Sequence, residues 1–145
     1  MNCLLDTIVL AELRKLHGDA NVLHWVGSMP STALFVSVIS LYQLQRSVAV
    51  AEREQSDFAR SLARWLEAIP ARYGGQLLAI DGAVANRWGR LGGSAGRMTE
   101  QAAIAATAQV HRLVVATPNA EDFLRAGVPV LNPFQPNPQV VRPTL

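Results

Sequence analysis

Hydrophobic positions fall into two alternating habits along the chain. Short, unbroken apolar runs rich in branched and aromatic residues lie at 2–6, 34–39, 76–80, 113–117 and 128–131, and each reads as a buried strand. Between them, apolar residues recur at helical spacing. The spacing predicts helices over 9–14, 21–28, 41–50, 57–69, 84–91, 100–111 and 120–126. Ser40, Ser56, Asp81 and Thr99 stand where N-caps belong. Breaks fall at His17-Gly18-Asp19, Met29-Pro30-Ser31, Pro70, Gly74-Gly75 and the glycine-rich 92–96. Strands alternating with helices predict a three-layer α/β domain over 1–134, built on a mainly parallel sheet of about five strands. Pro133, Pro136, Pro138 and Pro143 mark residues 135–145 as an extended, mobile tail.

Composition narrows the class. The 145 residues are half hydrophobic, enough for a real core and against disorder. No apolar run approaches the roughly 18 residues of a membrane span, and Asp6 interrupts the N-terminal apolar stretch before it reads as a signal peptide. A cytoplasmic protein is expected. Cys3 is the sole cysteine, which removes an internal disulfide or a cysteine-based zinc site and reads as a small core residue. Net charge is +2, and of the 13 basic residues only Lys15 is lysine. Arginine forks suit phosphate and carboxylate groups.

The chemistry is concentrated in acids and amides. Ligand chemistry in open parallel sheets gathers beyond the carboxyl ends of the strands. Asp6 ends the first strand, so it is placed either to hold a cation or to cap the next helix. If strands one and four are neighbours, Asp6 meets Thr117, Asn119 and Asp122, an oxygen-rich set suited to Mg²⁺ or Mn²⁺. Asp122 also reads as a cap or surface charge, and Asn119 as a turn residue. Glu12 reads either as a supporting acid or as the partner of Arg14 or Arg46. His17, His24 and His111 share no metal spacing. No Gly-x-Ser-x-Gly elbow and no glycine-rich phosphate loop is present, which argues against a serine hydrolase and an ordinary nucleotide-binding domain. Trp25, Trp65 and Trp88 fall on amphipathic helices as packing residues.

Five segments in order carry a resemblance. They are Leu4-Leu5-Asp6-Thr7-Ile8-Val9-Leu10-Ala11-Glu12, Val36-Ser37-Val38-Ile39-Ser40-Leu41-Tyr42-Gln43-Leu44, Ile104-Ala105-Ala106-Thr107-Ala108, Ala116-Thr117-Pro118-Asn119-Ala120-Glu121-Asp122-Phe123 and Val130-Leu131-Asn132-Pro133-Phe134. Over residues 2–134 the chain resembles the PIN-domain proteins, specifically the VapC-like toxins of bacterial toxin–antitoxin modules. The resemblance implies a PIN-like α/β/α fold and acids that hold Mg²⁺ or Mn²⁺. It also implies RNA cleavage, an antitoxin partner, DNA contact only through that antitoxin, a homodimer and no membrane.

Carried over by position, the family acids fall on Asp6, Gln43, Gln101 and Asp122, so two are amides here. Thr117 and Asn119 match the polar positions of the strand-four loop, Glu12 matches a family acid, and the usual Asn after Asp-Thr is Ile8. Glu100, beside Gln101, is a candidate substitute, although helix neighbours point about 100° apart. Two amides halve the formal charge of a four-acid pocket, and hard divalent cations depend on that charge. Two readings follow: an endoribonuclease with weakened metal dependence, with Arg14, Arg46 and Arg97 as phosphate contacts, or a non-catalytic binding protein using apolar rows at Trp25, Phe58, Leu62 and Trp65.

Overall fold

The computed structural model describes residues 1–95 and 99–144. Its sheet has six strands: β1 (Cys3–Leu5), β2 (Leu34–Ser37), β3 (Leu77–Leu78), β4 (Val114–Ala116), β5 (Val130–Leu131) and β6 (Val140–Val141). They lie in the order β3-β2-β1-β4-β5-β6. All neighbours are parallel except β6, which runs antiparallel to β5. β1 is central, with Cys3 opposite both Leu34 and Val114, and Leu5 opposite Ala116. Strands covered on both faces read as continuous apolar runs, as these do.

Successive side chains point to opposite faces, so β1 feeds two cores. Cys3 and Leu5 join Val36 and Ala116 in a cluster with Val9, Leu10, Val22, Trp25, Leu44, Leu62 and Leu66. Leu4 joins Val115 and Val130 in a second cluster with Ile104, Ala105, Ala108 and Phe123. The first face is covered by α1 (Thr7–Glu12), α2 (Ala20–Ser28), α3 (Val38–Arg53), α4 (Asp57–Glu67) and α5 (Ile69–Tyr73). The second is covered by α7 (Thr99–His111) and α8 (Ala120–Arg125), with α6 (Gly82–Ala95) packed along α7. The run Ala102 to Ala108 is buried throughout, because small side chains let α7 approach the sheet closely. Cys3 is fully buried, and burial pushes its thiol pKa up to about 11.

Several boundaries differ from the sequence reading. The second strand ends at Ser37, whose Oγ accepts from the Ile39 amide at 3.0 Å and starts α3. Ser40, the expected cap, lies inside α3 with its hydroxyl 2.8 Å from that of Thr7. Capping geometry thus outweighs the β-preference of Val38 and Ile39. The first helix starts at Thr7 rather than residue 9, because Asp6 caps it. Pro70 opens the separate helix α5, at the position where a missing N–H costs nothing. Gly92 does not break the chain, since α6 continues to Ala95; Gly96, Arg97 and the side chain of Thr99 lie outside the described residues. The tail is not left free. Val140–Val141 pairs with β5, adding the sixth strand, and just before the tail Asn21 Nδ2 donates to the Phe134 carbonyl at 2.8 Å.

Candidate functional site

The register of β1 and β4 sets Leu5 beside Ala116, so the next residues, Asp6 and Thr117, meet at the carboxyl edge of the sheet. The Asp6 amide donates to the Ala116 carbonyl at 3.0 Å. Its Oδ1 accepts from the Thr7 amide at 2.8 Å, and its Oδ2 from the Thr117 hydroxyl at 2.7 Å. Thr117 Oγ1 accepts in turn from the Asn119 amide at 3.0 Å. Asp6 is only 6% exposed. Burial raises its pKa, against the lowering effect of the Thr117 and Thr7 hydrogen bonds. Asp6 thus takes the capping role at the start of α1, and it also lines a cleft.

That cleft has a volume of about 330 Å³ and is lined by Asp6, Thr7, Ile8, Gln43, Leu44, Arg46, Ser47, Gln101, Ile104 and Asn119. Gln43 is the hub of its polar wall. Its Oε1 accepts a short bond from the Thr7 hydroxyl, and its Nε2 donates to Glu100 Oε2 at 2.7 Å. Glu100 also receives Arg46 Nη1 at 2.6 Å on Oε1 and Arg46 Nη2 at 3.2 Å on Oε2. The Arg46 guanidinium, followed by the Gln43 amide, holds the Glu100 carboxyl below the usual range. Arg46 itself lies over the Tyr42 ring, 5.2 Å from its centre. Glu100 and Gln101 thus divide the work of α7: Gln101 lines the cleft while Glu100 bridges to α3.

Other anticipated groups lie elsewhere. Asp122 is not among the cleft-lining residues; its Oδ1 is 3.7 Å from Arg125 Nη1, one turn along α8. Glu12 is buried at the far end of α1, where it accepts from Lys15 Nζ at 2.9 Å and the Asp19 amide at 3.0 Å. Its partner is therefore Lys15, not Arg14 or Arg46, because Lys15 lies one turn away on the same side. That bond chiefly lowers the Glu12 pKa. Arg14 sits over the Phe58 ring at 4.6 Å instead of in the cleft. Ser40 and Ser47 were not singled out as site residues by the sequence. Their signal was positional, since Ser40, Gln43 and Ser47 follow helical spacing on α3.

The donor set offers a divalent cation little charge. Among the described residues Asp6 is the one carboxylate lining the cleft, Gln43 Oε1 accepts from Thr7, and Glu100 is balanced by Arg46. Among the described residues, no three His, Cys, Asp or Glu side chains are grouped to hold a metal.

A parallel α/β sheet with a buried aspartate at the strand ends defines a class, and comparison with known proteins gives the family. No family model matches the chain. A VapC ribonuclease, Y4jK of Sinorhizobium fredii, is 32% identical over 139 residues, covering 91% of this chain and 97% of the relative. Toxin FitB of Neisseria gonorrhoeae is 29% identical over 136 residues, covering 90% and 97%. Among solved structures, a chain of FitAB bound to an IR36 DNA fragment superposes with a TM-score of 0.79 at 27% identity, covering 92% of this chain and 96% of that one. The chain belongs to the VapC-like toxins of the PIN-domain family. None of its described helices is long and apolar enough to cross a membrane.

Proposed function

We propose that the chain is the toxin component of a toxin–antitoxin module. In this reading it forms a homodimer, pairs with a cognate antitoxin, contacts DNA only through that partner, and presents its cleft to RNA. Cleavage of the phosphodiester is weakened by Gln43 and Gln101, at positions where the family reading places acids that hold Mg²⁺ or Mn²⁺. The supporting observation is the full-length likeness to a VapC ribonuclease combined with Asp6 and Thr117 meeting at the strand ends. Bound to a family acid set, such an ion lowers the pKa of a water and stabilises charge developing on phosphate. Here the chain's own groups do less. Thr117 and Thr7 orient Asp6, and Gln43 supplies a neutral amide where a carboxylate would add charge. Glu100 is the α7 acid in reach, but Arg46 holds it.

RNA cleavage by the purified chain in Mn²⁺ tests the reading. Slow cleavage is expected, lost in Asp6→Ala and raised in the Gln43→Glu/Gln101→Asp double variant. An Asp6→Ala protein that cleaves as fast as the parent overturns it.

The occupied Gln43–Glu100–Arg46 wall favours a second reading, a non-catalytic binding protein. Its signature is a parent no faster than Asp6→Ala that still captures the co-expressed product of a neighbouring gene. A parent that captures no such partner overturns the toxin-component assignment in both forms.

A further inference from the structure

Resting on the RNA-facing reading above, we infer that Arg46 is the resident cation of this cleft. The cleft then takes a phosphodiester of single-stranded RNA without a divalent ion.

Charge is the first reason. A pocket of four carboxylates repels a phosphate unless a metal intervenes. Amides at 43 and 101 remove half of that charge, and the carboxylate that remains at the strand end, Asp6, is buried with its oxygens hydrogen-bonded to Thr7 and Thr117. Glu100 is the other nearby acid, and Arg46 already balances it.

Geometry is the second. Arg46 lines the cleft and also a second groove of about 370 Å³, which Ser47, Val50, Glu54 and Phe58 help to form. Arg46 and Ser47 are common to both depressions, and the Arg46 side chain is 53% exposed. Of its five N–H donors, Nη1 donates to Glu100 and Tyr42 and Nη2 to Glu100. Among the described residues Nε–H and the remaining Nη2 hydrogen have no acceptor, so a phosphate can bind without displacing Glu100. Gln101 and Asn119, both uncharged, line the same cleft. Glu54 is the one acid among the residues that line the second groove.

Fluorescence anisotropy of a labelled single-stranded RNA with the purified full-length chain tests this. The parent is expected to bind equally in EDTA and in Mn²⁺. Arg46→Gln should bind about tenfold or more weakly, the loss of a charge-assisted pair. Its slope of log affinity against log salt should fall by about 0.7, the value for one single-strand phosphate contact. Arg46→Lys should keep that slope, and Glu100→Gln should tighten binding by removing the negative charge that offsets the guanidinium. Melting temperatures of each variant separate misfolding from lost contact. Binding that requires Mn²⁺, or an Arg46→Gln protein with unchanged affinity and slope, overturns the assignment of Arg46 alone. Displacement of the RNA by inorganic phosphate at equal phosphate concentration assigns the site to small anions and also overturns it. RNA that binds in neither buffer overturns the RNA-facing reading beneath it.

Discussion

Asp6 and Glu100 are carboxylates near one cleft with opposite electrostatic settings, and pH separates them. Burial raises the Asp6 pKa above its ordinary 3.8, so the native state holds that proton more tightly than the unfolded chain. Asp6 favours the fold while protonated, and that contribution is lost as pH rises from 3.8 through the raised native value. Asp6→Asn keeps the shape without the charge. Its melting temperature should gain on the parent's as pH climbs through the acid range, then hold a constant difference; a difference that narrows with rising pH contradicts the assignment. Glu100 has the reverse sign. Its native pKa lies below 4.5 because of Arg46, so its contribution is present above 4.5 and disappears as pH falls through the lowered value. The parent's thermal advantage over Glu100→Gln should shrink on acidification and in high salt, since Arg46 is half-exposed. Asp6 was legible in the sequence because a strand followed by an acid is a local pattern. The Glu100 bridge was not, because it joins residues that only the packing of α7 beside α3 brings together.

Short side chains decide where the elements begin and how closely they pack. Ser37 ends β2 and starts α3 through one hydrogen bond to Ile39. Ser37→Ala should cost about 1 kcal/mol in a denaturant melt, the usual loss of an N-cap, whereas Ser56→Ala tests the same bond at the exposed start of α4. The alanine face of α7 is the larger constraint. Ala103 and Ala106 are fully buried, and Leu at either position should destabilise by about 1–3 kcal/mol through overpacking. A denaturation midpoint equal to the parent's would show that the helix has room to move off the sheet. The same reasoning explains the limits of the sequence reading at this scale. Val38 and Ile39 look like strand by side chain, yet a cap one residue earlier sends them into a helix. Gly92 looks like a break, but packing of α6 on α7 carries the helix past it. Asp122 is on the expected helix, but Arg125 one turn away competes for its charge.

At the scale of the molecule, the alternation of apolar runs made the layered architecture readable, because parallel strands buried on both faces leave that imprint. The sixth strand left almost none: two valines among prolines gave no run to recognise, and only β5 supplies their hydrogen-bonding partner. Removing residues after 134 should uncover the β5 edge, lower the melting temperature and increase light scattering on concentration, since an unpaired strand edge recruits other chains. A truncated protein that stays monodisperse at the parent's melting temperature would show that the edge is protected without β6. The central strand has a practical use. Cys3 is the chain's one sulfhydryl, sealed between β2 and β4, with ionisation displaced to about 11. An alkylating reagent should therefore leave the native protein unmarked and tag each molecule only when the middle of the sheet opens. The pace of tagging becomes a clock for whole-molecule opening, readable by mass without introducing any probe.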